Sequence, residues 1–377
     1  MGKLAVAGGA ALVVVAVVSG CSAGSTGTED GPITFGAFVP ITGAVANPSN
    51  QDAVKLAEEA INADGGILGR DVDIEIYDVG DTPESAVNAV NRGISDGIQF
   101  AFGFANSPQV LATAGAFQDA EVPLLFFTVS QVLDFETTGN PWLYRGLPAA
   151  APISDRGIQY LHDELGVEDF ATVTTSDDGS KASHPFIDAA VEDLGGKVVT
   201  SIEYSPQATD TTSEVLDITG SGAEGMFLWG FPQPQAVLIR QLRQAGSDIP
   251  IMLDYGGSFQ ISNNLLPAEL LSGVYSSAAC PVDLLDSAAD VYAELPQPDK
   301  ADTYTGLFYD SVFVFADVIE AAGSVDPTSV QEGLASPDSL DYDGICGSYV
   351  GSDDHNVANF GVVLSLEGGE LTVAPGQ

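Results

Sequence analysis

The sequence predicts an α/β fold built as two similar halves, each a doubly wound, mostly parallel sheet flanked by helices. Three observations predict it. Short apolar runs alternate with segments whose apolar residues recur at helical spacing; several helices open on Ser or Thr followed by Pro; and the pattern restarts after Pro148.

In the first half, Ile33 to Val39 is a buried-strand run, and Ala53, Val54, Ala57, Ala60 and Ile61 then share one helical face. The glycine-rich stretch Gly65 to Gly69 follows that helix, so it reads as a C-terminal cap and turn rather than a phosphate loop. Val72, Ile74 and Ile76 alternate with Asp73, Glu75 and Tyr77 as strand residues do. Thr82-Pro83 opens the next helix, which turns Ala86, Val87, Val90 and Ile94 inward. Ile98 to Phe102 is a third strand. Ser107-Pro108 reads as an N-cap and first-turn Pro for a helix carrying Val110, Leu111, Ala114 and Phe117, followed by the strand Val122 to Phe127.

The second half predicts helices at 154–165, 185–194, 212–219 and 234–245, and strands at 170–174, 197–204, 226–229 and 250–253. Beyond Leu271 the pattern is coarser: a strand at 274–278, a long helix at 303–322 and strand-like residues at 361–365.

Asp and Glu number 53 against 11 Lys and Arg, giving a net charge of −42. Such a surface repels phosphate, which excludes a nucleic-acid binder and disfavours polyanionic ligands. The acidity reads as a solubility and salt-tolerance device.

Lys3 precedes an uncharged run from Leu4 to Val18, too short to span a bilayer but suited to the core of a secretory signal. Val18-Ser19-Gly20-Cys21 resembles a bacterial lipobox, which implies a signal peptide over 1–20 and a lipid on Cys21. The Ser/Gly/Thr-rich residues up to 30 read as a flexible tether. Cys280 and Cys346 remain, in a compartment where disulfides persist; they are an obvious pair, with two buried free thiols as the alternative.

Catalytic signatures are missing: there is no GxSxG elbow, no Walker loop, and no GxGxxG after a strand. His162, His184 and His355 are too scattered for a metal site by spacing, and no cofactor is predicted. Ligands of doubly wound sheets lie at the carboxyl ends of the strands. Here that edge is made by the turns at 42–49, 104–107, 128–130, 176–180, 229–233 and 254–258. Ser107 at a helix start serves as a cap, a carboxylate contact, or both. Thr128 and Ser130 either add hydroxyls to the same anion or cap their own turn. Phe104, Trp229, Phe231 and Tyr255 either form an apolar wall or pack in the core. Lys181 and Arg145 are the nearest cations; Arg145, just before the crossover, reads as an ion-pair residue, so no clamp for di- or trianions is expected.

Residues 53–70, AVKLAEEAINADGGILGR, resemble the signature of the branched-chain amino acid (Leu/Ile/Val) type substrate-binding proteins of ABC transporters. So do Pro40-Ile41-Thr42-Gly43, the run LIRQLRQAG at 238–246, and Tyr309-Asp310-Ser311-Val312 leading to Ala321-Ala322-Gly323. The resemblance covers nearly all of the chain from Ile33. It implies a type I periplasmic-binding fold: two lobes joined by three crossovers, one from 31–147 and 278–340, the other from 148–277 and 341–377.

Matched motif by motif, it implies that Ser107, Thr128 and Ser130 hold the ligand's polar end and that Phe231 is the second-lobe aromatic. Two positions depart. Tyr255, with Asp254 one place earlier, stands where an acid for the ammonium is usual, and Asn47-Pro48 replaces a stacking aromatic. The implied protein is no enzyme but an extracytoplasmic lipoprotein. It would capture a small neutral or zwitterionic solute, an amino acid or related amide or carboxylate, and deliver it to an ABC permease. An extracellular sensor of the same fold, signalling to a membrane partner, is the alternative.

Overall fold

The computed structural model describes residues 31–43, 46–254, 256–257 and 259–376. The leader and tether with Cys21, and Tyr255, lie outside the described residues.

The first lobe is built from β1 (Ile33–Val39), α1 (Pro48–Ala63), β2 (Val72–Asp78), α2 (Pro83–Asp96), β3 (Phe100–Gly103), α3 (Ser107–Ala120), β4 (Leu124–Phe126) and β5 (Leu143–Arg145). Its five strands are parallel, in the order β2-β1-β3-β4-β5. A parallel sheet must bury both faces, and pleat alternation divides the apolar residues accordingly. Phe35, Phe102, Leu125 and Phe127 pack on one face; Phe38, Phe104, Leu124 and Phe126 pack on the other.

The second lobe repeats the plan with α4 (Ala150–Gln159), β6 (Asp169–Thr175), α5 (Asp178–Asp193), β7 (Lys197–Tyr204), α6 (Thr212–Ser221), β8 (Gly225–Trp229), α7 (Pro232–Gln244), β9 (Ile251–Leu253) and β10 (Val274–Ala278). These strands are parallel in the order β7-β6-β8-β9-β10, the first sheet's order counted from its own start. Each sheet therefore has a switch point, at β1/β3 and at β6/β8, beyond which a crevice opens at the carboxyl ends.

The chain then returns to the first lobe. α8 (Thr303–Ala322) lays Phe308 and Phe315 on the first sheet; Phe315 is 5.6 Å from Phe35 and 5.5 Å from Phe100 between ring centres. After α9 (Pro327–Leu334), an antiparallel sheet of β11 (Asp341–Asp343), β12 (Ser348–Val350) and β13 (Ala358–Asn359) packs Tyr349, Ala358 and Phe360 into the same core. β14 (Val362–Ser365) then crosses back to pair with β10, followed by β15 (Thr372–Val373).

Four expectations change. The helix expected from Pro185 begins at Asp178, because the Asp177 side chain caps it by accepting from the Ser180 N–H at 3.1 Å, and Pro185 sits inside it. Asn106, not Ser107, is the N-cap of α3. The helix expected over 154–165 runs Ala150–Gln159 and ends in a wider turn at Tyr160–Glu164. The return to the second lobe, drawn at 341, falls instead near Gly361, because the apolar residues of 341–360 join the first core.

Cys280 and Cys346 form a disulfide. It ties the crossover after β10 to the β11–β12 hairpin. Gly306 of α8 lies beneath it, where a Cβ would come within 2.5 Å of Cys280 Sγ and 2.6 Å of Cys346 Sγ.

Candidate ligand-binding site

The first lobe's side of the crevice is built at the head of α3 and the end of β4. Gln109, buried in the first turn of α3, donates through Nε2 to the carbonyls of Val79 and Gly80 at 3.1 and 3.0 Å, tying that turn to the end of β2. Asn106 makes no side-chain capping bond, and its buried Oδ1 meets no partner in the protein. Ser107 is half-buried beside it. Thr128, one strand over, is 4% exposed, and its hydroxyl likewise meets no partner. A buried hydroxyl without a hydrogen bond costs about 1–3 kcal/mol, which a partner for Thr128 would recover.

Ser130 is held through its main chain: its carbonyl accepts from the Leu133 N–H at 3.1 Å and from Arg145 at 3.0 Å. Arg145, 1% exposed, also pairs with Asp134 at 2.6 Å and lies over the Phe126 ring. It is the ion-pair residue the sequence indicated. Burial pushes the Asp134 carboxyl up despite Arg145, and pushes Arg145 down, so the pair shapes the 130–134 loop more than it stabilises the lobe.

Phe104 is corrected. Its ring is fully buried, stacked on Phe38 at 5.0 Å, and forms part of the core. What it contributes at the strand end is backbone, in the left-handed region at φ +62°.

On the second lobe, Phe231 is 51% exposed at the carboxyl end of β8, and Phe259 is 48% exposed just beyond β9. Trp229 is 7% exposed beside Phe227, so it backs this wall from the core. Asp254 does not reach outward as a ligand acid. It is 3% exposed, its Oδ2 accepts from the Gly230 N–H at 2.7 Å and from Gln235 Nε2 at 3.3 Å, and its Oδ1 accepts from the Gly256 N–H at 2.8 Å. Burial pushes this carboxyl up to about 7, against the opposing pull of those donors.

Asn106, Gln109, Gln235 and Gln260 were not singled out from the sequence. An amide carries no spacing signal, because its role depends on which carbonyl or N–H lies within reach. The one cue was position, since Asn106 and Gln109 flank the Ser107-Pro108 helix start.

His184 provides a test for a hydrolase. Its Nε2 is 2.7 Å from the Ser201 hydroxyl, but Nδ1 meets Thr174 at 2.8 Å, and Asp188 lies on the Nε2 side at 3.8 Å. A nucleophilic triad needs the acid on Nδ1, so this cluster is a polar network around the buried His184, open to solvent at Ser201. Among the described residues, no group of His, Cys, Asp or Glu is arranged to hold a metal, and no helix is long and apolar enough to cross a membrane.

Two doubly wound lobes whose strand ends present polar groups on one side and exposed aromatics on the other define a two-lobed solute receptor. The periplasmic binding protein family profile matches residues 32–370, and the chain belongs to that family, which consists of solute-binding proteins. It is 25% identical over 313 residues to the leucine-, isoleucine-, valine-, threonine- and alanine-binding protein of Pseudomonas aeruginosa, covering 78% of this chain and 80% of that one. Among solved structures, it is similar to one from Rhodospirillum rubrum assigned to branched-chain amino acid ABC transport: 21% identity, 91% of this chain and 100% of that one, TM-score 0.78. It is also similar to the Streptococcus pneumoniae branched-chain amino acid substrate-binding protein in complex with isoleucine: 20% identity, 91% and 99% coverage, TM-score 0.68. The last two likenesses bear on the fold alone.

Proposed function

We propose that this protein is an extracytoplasmic receptor that binds a small zwitterionic or neutral solute with an apolar body, in the first instance an aliphatic amino acid, and passes it to an ABC permease. In this reading Cys21 carries a lipid that keeps the receptor at the membrane. The observation that carries the solute class is the pairing of chemistries. The head of α3 with Asn106, Ser107 and the unpartnered Thr128 hydroxyl suits a carboxylate or carbonyl end. The exposed Phe231 ring suits an apolar body. The relative from Pseudomonas aeruginosa, whose name covers aliphatic amino acids and threonine, supports the same class.

The ligand stabilises the closed receptor only by contacts it makes on both lobes at once, so a solute reaching only one lobe binds without closing it. A thermal-shift panel of L-leucine, L-isoleucine, L-valine, L-threonine, amides and aromatic acids identifies the solute. Thr128→Ala then weakens its binding by about 1–3 kcal/mol, read by calorimetry, without lowering the unliganded melting temperature. If the variant binds like the parent, the polar end does not sit on this turn.

A further inference from the structure

The exposed Phe231 is fastened on both flanks. On one side the Gly230 N–H donates to Asp254 Oδ2 at 2.7 Å; on the other the Pro232 carbonyl accepts from Gln260 Nε2 at 2.9 Å. The two anchors are themselves joined, because Gln260 Nε2 also reaches Gln235 Oε1 at 3.2 Å while Gln235 Nε2 reaches Asp254 Oδ2 at 3.3 Å. Asp254 holds a second turn as well, through the Gly256 N–H, and its own carbonyl accepts from the Ser276 hydroxyl of β10 at 2.7 Å. Asp254, Gln235 and Gln260 are all buried. Gly230 has no latitude to drift: its φ is +146°, and a Cβ there would lie 2.4 Å from Thr175 Oγ1 of β6.

A half-exposed aromatic gains nothing for folding from such a clamp, whereas a ring presented to a ligand at fixed geometry does. We propose that Asp254 is a positioning residue that ties the Gly230 N–H, beside Phe231, to the Gly256 N–H and so sets the second lobe's affinity for its solute. The proposal rests on the receptor reading above, but it assigns Asp254 no contact with the solute.

The clamp has a protonation dependence. A carboxylate can accept from Gly230, Gly256 and Gln235 together; a carboxylic acid turns one acceptor position into an O–H donor that faces N–H groups. Gln235 from α7, Gln260 and the Ser276 hydroxyl beside Asp254 are neutral; Thr175 of β6, which abuts Gly230, donates to the Asp177 carboxylate at 2.6 Å; and Tyr204 of β7 lies within electrostatic reach. Tyr204 is buried, its hydroxyl meets no partner, and burial, followed by the negative charges of Asp254 and Glu214, pushes it up. With the carboxyl pushed up to about 7, the clamp loosens as pH falls through neutrality.

The test uses the full soluble chain with L-leucine as probe. In ¹⁵N-labelled unmutated protein, the Gly230 and Gly256 amide resonances move together with a shared midpoint near pH 7. L-leucine then binds roughly tenfold more weakly at pH 5.5 than at pH 8, while Asp254→Asn binds at the weak level at both. Amides that do not titrate, or an Asp254→Asn variant that binds like the parent at pH 8, overturn the proposal. Should L-leucine bind at no pH, the solute class is wrong, and the amide titration, which needs neither ligand nor variant, still decides the clamp.

Discussion

A carboxyl placed in a dry core costs several kcal/mol unless donors surround it, and then its proton becomes part of the fold. Asp310 on α8 is fully buried and accepts from the Ile345 and Cys346 N–H groups, both at 2.9 Å, and from the Tyr349 hydroxyl at 3.2 Å. Burial nonetheless pushes it up to about 7, as it does Asp254. Because both folded values lie above the ordinary carboxylate value, their contribution to stability is fully present at acid pH and is lost as pH rises through about 7. His355, pushed down by burial, acts in the opposite sense, whereas Glu58, Asp134, Asp155 and Asp302, also pushed up by burial, act in the same sense as Asp254 and Asp310. The melting temperature is therefore expected to fall between pH 5 and pH 7.5, and Asp310→Asn, which keeps the shape without the charge, should flatten that slope. A variant as pH-sensitive as its parent would place the linkage elsewhere. None of this was visible beforehand, since nothing in Tyr309-Asp310-Ser311 tells this carboxylate apart from the other acids of an acidic chain.

Elements were far more legible than roles. β1, β7, β10 and α8 have the bounds read from their apolar runs and helical spacing. The β11–β12 hairpin and β13 were not foreseen: their strands are two or three residues long, and β11 and β12 are rich in Asp, Ser and Tyr, so tertiary packing rather than local propensity creates them. The candidate site was legible in part for the same reason. Thr128 and Phe231 follow from strand ends and topology, whereas the burial of Phe104 and the inward turn of Asp254 depend on side-chain direction. The hairpin's attachment can be tested. The Cys280–Cys346 bridge spans 66 residues of sequence, and an entropic account assigns such a loop roughly 4 kcal/mol. Replacing both cysteines by alanine should lower unfolding stability by about 2–4 kcal/mol in denaturant titration while leaving the first-lobe sheet folded. An unchanged midpoint would mean that Asp310 and the apolar face of the hairpin suffice without the bridge.

At the scale of the whole molecule the dominant quantity is the net charge of −42, carried by 53 acids against 11 bases. Attraction offsets little of it. The pairs Lys181–Glu203 at 3.8 Å and Lys300–Asp299 at 3.6 Å are exposed, and exposed pairs contribute at most about 1 kcal/mol each. In the pair Arg145–Asp134 the arginine is buried and Asp134 only partly exposed, so salt screens it less than those two. Added salt therefore has little attraction to screen and much repulsion to relieve, as the Debye length shrinks from about 10 Å at 0.1 M to about 3 Å at 1 M. Repulsion acts on the compact state more than on an expanded chain, where the same charges lie farther apart. The melting temperature should rise by several degrees between 0.05 and 1 M sodium chloride at pH 7.5, with most of the gain below about 0.5 M, where screening changes fastest. Potassium chloride should act alike if screening is the cause, and sulfate at equal ionic strength should add a further increment through exclusion from the surface. The same gain should shrink at pH 5, where protonation has already removed part of the charge. A melting temperature that falls with salt would mean that specific ion pairs, not net repulsion, govern this surface.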